Sequence, residues 1–314
     1  MAGETSGMSA LPDLTTRLGK LSLQSPLVLA ASPWGSEAVR LAASGIGALT
    51  LNSVGPEPRK GHAEPTLHDW GGGLINAVGL ANIGAAAAVP LLREMKAQLA
   101  QKNVILFASI FADTVEGYAQ VARTIAAAEP ALVEVNLSCP NVREEFGVPF
   151  ASQPTTAGEA TSAARGELTC PISVKLAPNV PDLVPIAEAV VAAGADMITV
   201  TNTMPGMVID IEARRPVISN KTGGISGEAL RPIAVRMVYE LYEAVRVPII
   251  GTGGVVHGLD AVEMVMAGAT AVGLATVAHR HGMAGLRRVL GELDEWMSAH
   301  GVRSLEEIRG CAHR

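Results

Sequence analysis

Short β-branched and aliphatic runs alternate along this chain with longer Ala-, Leu- and Glu-rich stretches. The runs are 26-PLVLAA-31, 47-GALTLNSV-54, 103-NVILFASI-110, 132-LVEVNLS-138, 171-PISVKLA-177, 196-DMITVTNT-203, 247-VPIIGTGG-254 and 270-TAVGLATV-277. Apolar runs this short read as buried strands. Between them, 87-AAVPLLREMKAQLA-100, 114-TVEGYAQVARTIAA-127, 182-DLVPIAEAVVAAG-194 and 260-DAVEMVMAG-268 carry helical spacing. Strands alternating with helices predict an α/β fold with a parallel sheet. Eight such units predict a (β/α)8 TIM barrel; a doubly wound open sheet has the same alternation, because strand order is not written in the sequence.

The ends of the chain add to this frame. Leu14 to Pro26 reads as a hairpin with Gly19-Lys20 at its turn, placed to plug the bottom of the barrel. From His279 to Arg314 the pattern is helical, with Leu286, Val289, Leu290, Leu293 and Trp296 on one face. No linker-like segment divides the chain, so residues 1–314 are expected to form one domain, with 1–13 a loose Ser/Gly-rich tail.

Composition fits a barrel. Apolar residues make up 48% and aromatics 3%, so the core must be built of Ala, Val, Ile and Leu, as in buried parallel strands. A net charge of −6 gives no basic footprint for nucleic acid. No apolar run reaches the roughly 18 residues of a membrane span, and the N-terminus lacks a signal-peptide pattern. Three cysteines, at 139, 170 and 311, match no metal or disulfide framework. These features predict a cytoplasmic protein with no iron–sulfur cluster and no metal site of its own.

In such a barrel the chemistry sits at the C-terminal ends of the strands. The fourth run ends in Asn136, Ser138 and Cys139, the fifth contains Lys175, the sixth ends in Thr201-Asn202-Thr203, and the seventh and eighth end in Gly253-Gly254 and Ala275-Thr276. A lysine within an apolar strand is costly unless it meets an anion or a polar cofactor, the bland alternative being a strand-end lysine that snorkels to solvent. If Val174 and Leu176 face the helices, Lys175 points into the barrel mouth. Gly223-Gly224-Ile-Ser-Gly227 is read as opening a helix, and with Gly253-Gly254 it suggests backbone N–H groups for a phosphate. Cys139 ends a strand before Pro140-Asn141, where a thiol of ordinary pKa, about 8.5, becomes a proton acceptor when modestly activated. Cys170 reads as a core thiol. The seven histidines show no ligand spacing and are expected at the surface, His257 and His279 nearest a site.

These segments resemble the dihydroorotate dehydrogenase family, closest to the catalytic subunit of its soluble two-subunit bacterial class. The resemblance runs from about Leu18 to Ile308 and is most specific in 73-GLINAVGLANIG-84, 133-VEVNLSCPNV-142, 173-SVKLAPNVPDLVPIAEAVVAAGAD-196, 222-TGGISG-227 and 248-PIIGTGGV-255. It implies FMN at the barrel mouth and oxidation of (S)-dihydroorotate to orotate in pyrimidine biosynthesis. Cys139 matches the base that removes the C5 proton while the C6 hydride passes to flavin N5. Lys175 matches the lysine at the polar edge of the flavin. Asn76, Asn136, Asn202 and Thr203, with the Val78-Gly79-Leu80 backbone, match pyrimidine contacts. Gly227, Gly253, Gly254 and Thr276 match the FMN phosphate cradle, and Ala30, Ala31, Asn52, Ser53, Asn136, Thr201 and Ala275 fall among the other cofactor positions. A flavin/iron–sulfur electron-transfer subunit and a homodimer or larger assembly are the implied partners.

Three positions depart from the family. Asn52, in 49-LTLNSVG-55, replaces a lysine that binds the substrate carboxylate and the flavin, Ser32 replaces a glycine in a shortened loop, and Ala275 replaces a phosphate-loop glycine. Arg59 or Lys60 is a candidate substitute cation. Three readings stay open: dihydroorotate dehydrogenase with altered contacts, an FMN enzyme acting on a C–C bond of another ring, or a non-catalytic flavoprotein partner subunit.

Overall fold

The structure, a computed structural model, describes residues 12–137 and 150–314. It opens with an antiparallel hairpin, β1 (Thr16–Leu18) and β2 (Leu21–Leu23), with the turn at Gly19-Lys20. The eight apolar runs all become strands: β3 (Leu27–Leu29), β4 (Ala48–Thr50), β7 (Ile105–Ile110), β8 (Val133–Asn136), β9 (Ile172–Lys175), β10 (Met197–Val200), β15 (Ile249–Thr252) and β16 (Ala271–Leu274). They pair in parallel in chain order, and β16 returns to β3 with Val272 opposite Leu27, which closes the barrel and excludes the open sheet.

Strand alternation sorts these residues into two environments. Leu27, Leu29, Leu49, Val133, Val135, Val174, Leu176, Ile198 and Val200 face outward and pack against the helices. Val28, Ala48, Phe107, Leu132, Met197, Ile250 and Ala271 face inward as the lowest interior layer, and Leu18 and Leu23 of the hairpin seal it from below. The expected plug is therefore present. The layer above is polar: Thr50, Ser109, Glu134, Ser173 and Thr199 are all buried. Lys175 occupies the next inward position, above Ser173, so it points up the barrel as its flanking residues predict.

A four-stranded antiparallel sheet not anticipated from the pattern lies over the mouth, in the order β11 (Met204–Gly206), β14 (Gly223–Ser226), β6 (Leu74–Asn76), β5 (Leu67–Asp69). A small ladder, β12 (Ile209–Asp210) and β13 (Arg215–Pro216), extends beside it. The predicted C-terminal helix runs Thr276–Ala299 with a kink at Gly282, burying Leu286, Val289, Leu293 and Met297. Leu290 and Trp296 are partly buried on the same core. The helix stops at His300 and only single turns follow, at Leu305–Glu307 and Cys311–His313, so the helical pattern does not carry through to Arg314.

Leu18 is fully buried in the plug. Leu18→Ala is expected to cost about 3 kcal/mol, read as a shift in the denaturant midpoint. A loss below about 1 kcal/mol would show that the hairpin does not seal the barrel.

Candidate active site

A cavity of about 260 Å³ opens at the C-terminal ends of the strands. The first strand contributes Ala30 and Ala31, and the second Asn52 and Ser53. The side sheet and the loop after it bring Asn76, Val78, Gly79 and Leu80. Asn136, Lys175, Thr201, Asn202 and Thr203 follow from the middle strands, and Gly227, Gly253, Gly254, Ala275 and Thr276 close the circle. Every described residue assigned to substrate or cofactor from the sequence therefore lines one space. Cys139 lies outside the described residues.

One wall is built of amides held by defined partners. Asn52 Nδ2 donates to the Ala81 carbonyl at 2.7 Å, Asn76 Nδ2 to the Gly224 carbonyl at 3.3 Å, and Asn136 Nδ2 to Ser53 Oγ at 3.1 Å. Asn202 Oδ1 accepts from the Thr203 N–H at 2.8 Å. An amide both donates and accepts, and each partner sets the orientation of its group. The side sheet explains Asn76, which pairs with Gly224 across β6 and β14. It also corrects the reading of 223–227 as a helix start: Gly223 and Gly224 are strand residues. A Cβ on Gly224 would stand 1.9 Å from Thr203 Oγ1, and one on Gly223 would stand 2.5 Å from the Asn76 carbonyl oxygen. Only glycine lets the strand run this close to the wall.

The opposite wall is glycine-rich backbone. Gly227, Gly253 and Gly254 have φ of +87°, +136° and +80°. A Cβ on Gly254 would lie 2.4 Å from Arg231 Cβ. Gly227 leads into the turn Glu228–Leu230 and the helix Arg231–Ala244, while Ala275 precedes Thr276–Ala299. First-turn N–H groups of helices lack internal partners and suit an anion. The Asp260 carboxylate accepts from the Val256 and His257 N–H groups at 2.9 and 2.8 Å and pairs with Arg231, fixing the loop after β15. Ser226 and Thr276 share a hydroxyl contact of 2.8 Å. Thr252 Oγ1, also in the lining, is buried without a hydrogen-bond partner among the described residues.

At the floor, Lys175 Nζ stands 3.9 Å from Glu134 Oε1, with side chains only 8% and 6% exposed. The Ser109 hydroxyl donates to the same carboxylate oxygen at 3.3 Å and contacts Ser53 Oγ at 2.8 Å. Glu134 was not singled out in the sequence. Its signal was an acidic residue alternating with valines inside 133-VEVN-136, the position where an isolated charge is most costly.

The rim carries His279, whose Nε2 lies 2.8 Å from Ser32 Oγ and whose ring stacks on Trp34 at 4.3 Å. Its edge reaches solvent, but its covered face is desolvated, which pushes its pKa below the usual histidine value. His257 instead precedes the helix Gly258–Ala267, 3.3 Å from Glu292, and does not line the mouth. His313, expected at the surface, is partly buried: its side chain is 10% exposed and stacks on Tyr239. Arg280, beside His279, joins Asp69 on β5 at 2.7 Å to Glu228 at 3.0 Å, tying the side sheet to the anion wall.

Neither candidate substitute cation lines the mouth. Arg59 lines a neighbouring cavity of about 710 Å³ that shares Ser32, Pro33 and Asn52 with it, and Lys60 is exposed. Among the described lining residues, Lys175 and His279 are the titratable side chains.

Residues 13–297 match the family model described as dihydroorotate dehydrogenase. The chain belongs to that family. Similar proteins named dihydroorotate dehydrogenase B (NAD(+)), catalytic subunit, occur in Trichlorobacter lovleyi (37% identical, covering 96% of this chain and 98% of the relative) and in Desulforudis audaxviator (39%, covering 94% and 95%). Another with that name, from Alkaliphilus metalliredigens, is 38% identical over 95% of this chain and 98% of its own length. Family membership agrees with the barrel and with the convergence of motif residues on its mouth.

The hydrogen bonds from Arg280 hold the Asp69 carboxyl down at about 2. A depressed carboxyl contributes stability that is present above its ordinary value of about 3.9 and is lost as pH falls toward 2. Because Asp69 is half-exposed, the effect is expected below about 1 kcal/mol. Arg280→Gln should flatten the fall in denaturation midpoint between pH 4 and 2.5, and equal slopes in the two proteins would contradict the clamp.

Proposed function

We propose that the protein is the catalytic subunit of a two-subunit dihydroorotate dehydrogenase, a cytoplasmic enzyme that uses FMN to oxidise (S)-dihydroorotate to orotate in pyrimidine biosynthesis. The observation that carries this reading is the mouth cavity, where an amide wall, a glycine wall and the buried Lys175 meet. The residues fit FMN. Gly227, Gly253 and Gly254 line the cavity as backbone with positive φ and would present N–H groups to a phosphate, the Thr252 hydroxyl, buried with no partner among the described residues, would be a further contact, and Lys175 would hold the polar edge of the ring. FMN, when bound, supplies the acceptor for a hydride from substrate C6.

The chain's own groups do the rest. Asn76, Asn136, Asn202 and Thr203 hold the pyrimidine by its alternating N–H and C=O groups and so orient the reacting carbons. Cys139, as thiolate, takes the C5 proton, and the electron pair of that C–H bond forms the C5=C6 double bond as the C6 hydride departs. The apolar part of the lining, Leu74, Val78, Leu80 and Leu230, would help to exclude water from these steps. A flavin/iron–sulfur partner subunit would accept the electrons, a reading that the NAD(+) in the relatives' name supports. We read the chain as one FMN-binding domain acting in a homodimer or larger assembly. Among the described residues no helix is long and apolar enough to cross a membrane.

One observation favours a second reading, an FMN enzyme acting on a C–C bond of a different ring. Asn52 stands where the family places a cation, and its amide is already engaged with Ala81. A substrate carboxylate would then lack its charged partner.

Anaerobic bleaching of the flavin by dihydroorotate tests the main reading. Cys139→Ala should slow bleaching by about 10²-fold or more at neutral pH. A flavin that dihydroorotate leaves oxidised while another dihydropyrimidine bleaches it would establish the second reading. Asn52→Lys is expected to tighten orotate binding about tenfold, or about 1.4 kcal/mol, by titration. Unchanged affinity would mean that the missing cation does not limit carboxylate recognition.

A further inference from the structure

Among the described residues three charged side chains are buried, Glu134, Lys175 and Asp260. Asp260 is spent on the loop and helix beside Arg231. Glu134 has no part in the chemistry assigned above, yet it lies in the polar layer one inward step below Asn136 and the mouth. Its neighbours in register are Ser109 on β7 and Ser173 on β9. Ser109 donates to its carboxylate, and Ser173 is engaged with Thr199 at 2.8 Å. An acidic side chain is thus built into the barrel centre, beneath the lysine.

The separation of 3.9 Å is informative. It is longer than an ammonium–carboxylate hydrogen bond, so the N–H donors of Lys175 are not consumed by Glu134 and can serve a group in the mouth. It is short enough, in a site with so little water, for a strong charge–charge attraction. Glu134 therefore anchors the lysine electrostatically and offsets its charge beneath the mouth while leaving its donors available.

We propose that Glu134 is a positioning residue that sets how much of the Lys175 charge the cofactor experiences, and thereby lowers the reduction potential of bound FMN. This rests on the FMN reading above. An isolated cation at the polar edge favours the electron-rich state of the ring, and a carboxylate behind that cation reduces the preference. The pair keeps the flavin reducing enough to pass electrons onward.

The test measures the flavin midpoint potential by dye-equilibrated reduction, together with FMN affinity of the apoprotein from fluorescence quenching and the denaturation midpoint. Glu134→Gln is expected to raise the preference for reduced over oxidised FMN about tenfold, a positive shift of about 30 mV for a two-electron couple. Glu134→Asp should recover part of the shift. In a Lys175→Met background, Glu134→Gln should leave the potential unmoved, because the charge it modulates is gone. Ser109→Ala frees the carboxylate from its hydroxyl donor and should move the potential the opposite way, which keeps the test available if Glu134→Gln does not fold. An unmoved potential in folded, FMN-loaded Glu134→Gln, or an equal shift with and without Lys175, overturns the proposal. With Glu134→Gln unfolded, an unmoved potential in Ser109→Ala does the same. A wild-type protein that takes up no FMN overturns the cofactor reading beneath it.

Discussion

A lysine and a glutamate share the inside of a closed barrel, 3.9 Å apart and almost wholly removed from water. Taking two charges out of water costs several kcal/mol each, and their attraction offsets this only where geometry and further hydrogen bonds are good. The barrel supplies both. Closure of β16 onto β3 fixes the register of every strand, so that Glu134, Ser109 and Ser173 fall in one layer and Lys175 and Asn136 fall opposite each other above it. Below them the layer is aliphatic and aromatic, sealed by the N-terminal hairpin. The interior thus grades from apolar at the bottom to charged and amide-rich at the mouth, and the site is the upper end of that gradient.

Two supports outside the barrel complete the mouth. The side sheet brings Asn76 over the strand ends and needs glycines at 223 and 224 to pass Thr203 and the Asn76 backbone. Asp260 and Arg280 act as braces from the helices, one fixing the loop after β15, the other joining β5 to the turn at Glu228. A neutral hydrogen-bonding wall faces an anion-binding wall, with the Lys175 ammonium between. That division suits a heterocycle lying beside a phosphorylated cofactor.

The barrel was legible because buried parallel strands leave short, continuous apolar runs, and each of the eight runs became a strand. The hairpin was legible from its Gly19-Lys20 turn. Much of the mouth could be read from residues that are costly inside apolar strands, Lys175 above all, and from the family motifs. The side sheet was not. Its strands are three or four residues long and partly exposed, and Gly223-Gly224 looks the same in sequence whether it opens a helix or slips past a side chain. His257 was expected near the site, but its neighbour in space is Glu292, thirty-five positions on, which local pattern does not reveal. Glu134 was hidden for a related reason: a single acidic residue among valines resembles the polar half of a two-faced strand until the barrel closes around it.

The most direct measurement is a crystal structure of the protein with FMN and orotate. The expected result is the phosphate against the Gly227 and Gly253-Gly254 backbone, the pyrimidine against Asn76, Asn136 and Asn202, and Lys175 Nζ within hydrogen-bond distance of the flavin with Glu134 still behind it. A phosphate bound elsewhere, or a lysine drawn down onto Glu134 and away from the ring, would contradict it.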